Sequence, residues 1–110
     1  MSENSVKEIK DTILKFAEDK NISISKIVLF GSEAGGNAKK DSDIDLMLVS
    51  KDFTDQTYTM RLNKLLGLNR KLVKLTNRAF DILYYSDTEW EISSSPMIAE
   101  AKISGVVVYS

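Results

Sequence analysis

Val6, Ile9, Ile13, Leu14, Phe16 and Ala17 recur at intervals of three and four, with Lys and Glu between them. That period predicts an amphipathic helix, with Asn4 or Ser5 as its cap and Asn21 at its end. Lys26 to Phe30 (KIVLF) is an unbroken apolar run, the pattern of a strand buried on both faces. Ile44 to Val49 (IDLMLV) predicts a second strand. After a polar entry at Asp52 to Asp55, one helical stripe joins Tyr58, Leu62, Leu65, Leu66, Leu72 and Val73, interrupted by Gly67. Ala79 to Tyr85 (AFDILYY) reads as a third strand, Ser86 to Glu100 as irregular or broken helix around Pro96, and Gly105 to Tyr109 as a last strand. The order α, β, loop, β, α, β, short α, β predicts an α/β (α+β) fold. Its expected form is a small mixed sheet of about four strands with helices packed on it. The 110 residues, without repeat or linker, amount to one domain over 1–110.

Composition narrows the chemistry. The chain has neither cysteine nor histidine, which excludes disulfides, thiolate sites and the commonest general base. Any metal must be held by oxygen, favouring magnesium, manganese or calcium. With 15 basic and 16 acidic residues, a general grip on nucleic-acid backbone is not expected. No apolar stretch has the length of a membrane span and the N-terminus lacks a signal-peptide core, so the expected location is cytoplasmic.

The candidate chemistry lies between the first two strands, in GSEAGGNAKKDSDIDL (Gly31 to Leu46). Gly31 and Gly36 give the loop backbone freedom, and Ser32 adds a hydroxyl beside N–H groups able to meet phosphate oxygens. Lys39 and Lys40 are placed to add positive charge. Asp43 and Asp45 are two apart, so in a strand they point the same way. Asp81 lies in the third strand, and all three carboxylates converge if the second and third strands are neighbours. A charged carboxylate in an apolar strand costs several kcal/mol unless it is paired or bound to metal. Two divalent ions held by such a trio can activate a hydroxyl and stabilise a leaving oxygen in phosphoryl-type transfer. Each piece alone has a plainer reading: turn chemistry for the aspartate pair, a simple turn for Gly-Ser, a solvated loop for the lysines. The ordered combination is the specific signal.

Gly31, Ser32, Ala34, Gly36, Ser42, Asp43, Asp45, Leu46 and Val49 fit or nearly fit a pattern of the form GSxARGxxxxxSDxDLxV. The chain thereby resembles the nucleotidyltransferase superfamily that includes DNA polymerase beta. It is most similar to the minimal nucleotidyltransferase (MNT) proteins encoded beside HEPN-domain partners. The resemblance implies a polymerase beta-like palm fold and roles for the residues. Gly31 and Ser32 would hold the triphosphate, with Lys39 or Lys40 as nearby cations. Asp43, Asp45 and Asp81 would ligate Mg2+ or Mn2+, and Asp81 would help deprotonate the acceptor. The implied reaction moves AMP from ATP to a protein partner, a HEPN toxin, in a homo- or hetero-oligomer. Two alternatives are a binding module that neutralises its partner by contact, and a small-molecule enzyme similar to the aminoglycoside nucleotidyltransferases. The frequent family arginine falls at Gly35, so the loop lacks a fork-shaped phosphate partner.

Overall fold

A computed structural model describes residues 1–31, 34 and 43–110 of the chain. Four strands, β1 (Lys26–Phe30), β2 (Ile44–Val49), β3 (Phe80–Tyr85) and β4 (Val106–Tyr109), form one sheet in the order β3-β2-β1-β4. β1 is antiparallel to β2 and β4, whereas β2 and β3 are parallel, so the sheet is mixed. A parallel pair needs a crossover connection, because a tight turn can join only antiparallel strands. Here α2 (Tyr58–Lys64) and α3 (Leu68–Thr76) supply it. The other helices are α1 (Glu3–Asp19), α4 (Asp87–Ile92) and α5 (Pro96–Ser104).

Alternation along the strands splits the core in two. Ile27, Leu29, Ile44, Leu46, Leu48, Phe80, Ile82 and Tyr84 face Ile9, Ile13 and Ala17 of α1 and Leu68 and Leu72 of α3. Val28, Phe30, Met47 and Val49 face the opposite way, toward Trp90 of α4 and Ile98 and Ala101 of α5. The unbroken apolar runs of β1 and β2 are thus explained: helices cover both faces.

Two local expectations shift. The cap of α1 is Ser2, whose hydroxyl accepts the Ser5 N–H at 3.1 Å, rather than Asn4 or Ser5, which lie in the first turn. The stripe from Tyr58 to Val73 is two helices, not one. Gly67, with φ of +97°, breaks it in a conformation that costs glycine little. The break changes the helical phase, so Leu62, Leu66 and Val73 point outward while Arg61 and Leu68 turn in. The region 86–100 is a broken helix, as the sequence predicts, with a capping box in which Ser86 and Glu89 exchange hydrogen bonds at the start of α4.

The outer edge of β3 is closed by side chains. Asn69, Tyr58 and Arg61 donate to the carbonyls of Phe80 (3.0 Å), Ile82 (3.2 Å) and Tyr84 (2.9 Å). Arg61 also pairs with Glu89 at 2.6 Å, fastening α2 to α4. A strand edge capped in this way offers no free carbonyl row to another chain.

Candidate active site

Asp45 of β2 and Asp81 of β3 are directly opposed in the parallel register. They share the face of Met47, Val49, Leu83 and Tyr85, beyond the part covered by α4 and α5. Asp43 immediately precedes β2, two residues before Asp45, and is exposed. The carboxyl of Asp45 is raised above its ordinary range, first by burial and then by the negative charges of Asp81 and Asp43. Opposed residues on neighbouring strands are about 5 Å apart. Two unit charges at that separation repel by about 1 kcal/mol in water and about 3 kcal/mol near a protein surface. Water reaches both carboxyls, so the lower figure is the nearer one.

Among the described residues, no side-chain hydrogen bond or ion pair neutralises Asp43, Asp45 or Asp81. Nor, among those residues, does any group of three acidic side chains close into a cage that could hold a metal ion. The trio is therefore an open, mutually repelling set. Its hard oxygen donors and uncompensated charge fit magnesium or manganese in kind.

Gly31, at the end of β1, has φ of +70°. A Cβ there would collide with Oδ2 of Asp45, so the missing side chain leaves room for that carboxylate. The glycine-bearing loop and the aspartate strand meet at this contact. Ser32, Lys39 and Lys40 lie outside the described residues, as do Gly35, Gly36 and Ser42.

The sequence reading missed Tyr58. From α2 it places its hydroxyl on the Ile82 carbonyl and its ring against Tyr84, 6.1 Å between centroids. Burial, then the neighbouring Tyr85 and Asp81, raise its hydroxyl's pKa. A lone tyrosine at a helix start gives no sequence signal of this position.

A profile of the nucleotidyltransferase domain matches residues 10–106. The chain belongs to that family. Solved nucleotidyltransferases share the fold. A toxin–antitoxin complex with AMP-PNP aligns at a TM-score of 0.63 and 20% identity, over 92% of this chain and 73% of the other. A variant of the MntA–HpeT toxin–antitoxin aligns at 0.60 and 18% identity, over 92% and 72%. A complex of tri-AMPylated Shewanella oneidensis HEPN toxin with its MNT antitoxin aligns at 0.55 and 17% identity, over 96% and 72%. No curated protein sequence matches significantly. Among the described residues, no helix of this nucleotidyltransferase domain is long and apolar enough to cross a membrane.

Proposed function

We propose that this nucleotidyltransferase domain moves AMP from ATP to a hydroxyl of a HEPN-domain protein, as the antitoxin of a toxin–antitoxin pair. The observation that carries the reading is the register that opposes Asp45 to Asp81, with Asp43 two residues away and the Asp45 carboxyl raised by burial and then by both charges. Repelling carboxylates without a cation are poor stabilising elements, and they suit an incoming divalent ion. Asp43, Asp45 and Asp81 would hold Mg2+ or Mn2+. When bound, that ion would supply positive charge to the triphosphate and lower the cost of gathering anions in one cleft.

The chain's own residues have distinct tasks. Gly31 leaves room for the Asp45 carboxylate and, with Ser32, would offer backbone N–H groups to phosphate, with Lys39 and Lys40 adding charge. Asp81, the most open of the strand carboxylates, accepts the acceptor's hydroxyl proton. The freed oxygen bonds to the α-phosphorus, the bond from that phosphorus to the bridging oxygen breaks, and pyrophosphate departs with the electron pair. The HEPN partner is supported by the fold shared with a chain of the complex of a tri-AMPylated HEPN toxin with its MNT antitoxin, beside two further toxin–antitoxin complexes.

Intact-mass spectrometry of a HEPN-domain partner incubated with the chain, ATP and Mg2+ tests the reading. One or more AMP additions are expected, abolished by Asp81→Asn. A partner of unchanged mass that is still inhibited by the Asp81→Asn protein would establish neutralisation by contact instead.

A further inference from the structure

Between Asp55 and Asp81 the chain carries six basic residues and no acidic one. The rest holds nine basic and 16 acidic residues, so a domain of net charge −1 gathers its positive charge on the α2–α3 crossover. Some of that charge is committed: Arg61 to Glu89, and Lys71 to the ring of Phe16 at 5.9 Å. Arg70 and Lys74 are not. Both are exposed, and neither has a carboxylate partner among the described residues. Leu68 and Leu72 bury one face of α3, and Arg70, Val73 and Lys74, at helical spacing, form the opposite one. Leu66, 73% exposed, stands just before it.

We infer that this surface docks a protein partner through an acidic, amphipathic helix. Carboxylates of that helix would meet Arg70 and Lys74, and its apolar side chains would cover Leu66 and Val73. Cations alone would equally suit nucleic acid, but exposed Val73 between them and exposed Leu66 just before the helix favour a protein surface, where apolar contact provides affinity and charge provides selection. The crossover is fastened to the strand that carries Asp81, because Asn69, Tyr58 and Arg61 grip the carbonyls of Phe80, Ile82 and Tyr84. α3 covers the sheet face opposite Asp81, so a partner seated here leaves the aspartate face open. The choice of a HEPN-domain protein as that partner rests on the function proposed above.

The test measures affinity of the full chain for a HEPN-domain partner by calorimetry, with Arg70→Glu/Lys74→Glu and the milder Arg70→Ala/Lys74→Ala. Both positions face water, so both variants should fold. The charge reversal should weaken docking about 10–100-fold and the alanine pair by less, while thermal stabilisation by ATP and Mg2+ is unchanged. Added salt should weaken the unsubstituted chain more than the variants. Unchanged affinity in the charge-reversal variant overturns the inference. So does binding of single-stranded RNA that the reversal removes while partner affinity stays intact. Charge-sensitive docking without AMP transfer would support this surface and contradict the proposed reaction. Transfer and docking that both survive the reversal would contradict the surface alone.

Discussion

Gly31 and Gly67 both adopt positive φ, at +70° and +97°, and that shared strain makes them a matched pair. Alanine at either position incurs the left-handed backbone cost, about 1–2 kcal/mol. At Gly67 the new Cβ would find only the ring of Phe16 at 3.5 Å, an ordinary contact. At Gly31 it would strike Oδ2 of Asp45, with Cγ at 3.2 Å. The carboxylate can swing aside, so Gly31→Ala should cost little more stability than Gly67→Ala. A loss of about 1–2 kcal/mol corresponds to a Tm lower by about 4–8 °C in each case, at about 4 °C per kcal/mol for a domain near this size. The two should part when ligand is added. Gly67→Ala should keep the rise in Tm produced by ATP and Mg2+, whereas Gly31→Ala should lose most of it, because Asp45 has been pushed from Asp43 and Asp81. Differential scanning fluorimetry with and without ligand reads both quantities. Equal ligand responses in the two variants would refute the idea that the Gly31–Asp45 contact shapes the site.

The raised carboxyl of Asp45 sets a pH dependence. Its protonated form favours the folded state, so that stability is present below the ordinary carboxylate range and lost as pH rises through the raised value. Asp45→Asn should therefore raise the Tm of metal-free protein near neutral pH and have little effect near pH 3, and Mg2+ should stabilise the unsubstituted chain more at neutral than at acid pH. Glu89 behaves oppositely. Burial pushes its carboxyl up, but hydrogen bonds from Ser86 and Arg61 with the Arg61 charge outweigh it and leave it lowered. Its stabilisation is present at neutral pH and lost as pH falls through the lowered value, so Glu89→Gln should matter at pH 7 and fade in acid. Arg61→Met should cost about 2 kcal/mol by urea denaturation, the scale for hydrogen bonds to a charged group, because it frees the Tyr84 carbonyl and the Glu89 clamp together. Ser86→Ala, which removes the capping box of α4, should cost about 1 kcal/mol in the same assay.

Strands were legible where burial on both faces made the apolar run continuous: β1 and β2 match the sequence reading residue for residue. The aspartate face was legible because alternation is rigid in a strand, and the parallel register then brought Asp81 beside Asp45. The crossover was harder. Leu62, Leu66 and Val73 fit a single helical wheel, but one left-handed residue at Gly67 resets the phase, and a wheel carries no information about such a break. Burial of Arg61 was equally hidden, since its reason is the row of β3 carbonyls and Glu89, 28 residues away. Of the apolar residues between β3 and β4, Trp90 and Ile98 joined the core, while Ile92 and Met97 stayed exposed. Periodicity could not sort them, because the segment is two short helices broken at residues 93–95 and not one wheel.

In the proposed function, Asp43, Asp45 and Asp81 together receive a divalent ion carrying a nucleoside triphosphate. The most direct test is anomalous diffraction from crystals of the full chain soaked with Mn2+ and a non-hydrolysable ATP analogue. A manganese peak is expected between Asp43 and Asp45, within reach of Asp81, with the triphosphate running toward Gly31. Manganese absent from these carboxylates while the nucleotide is bound elsewhere would contradict that function.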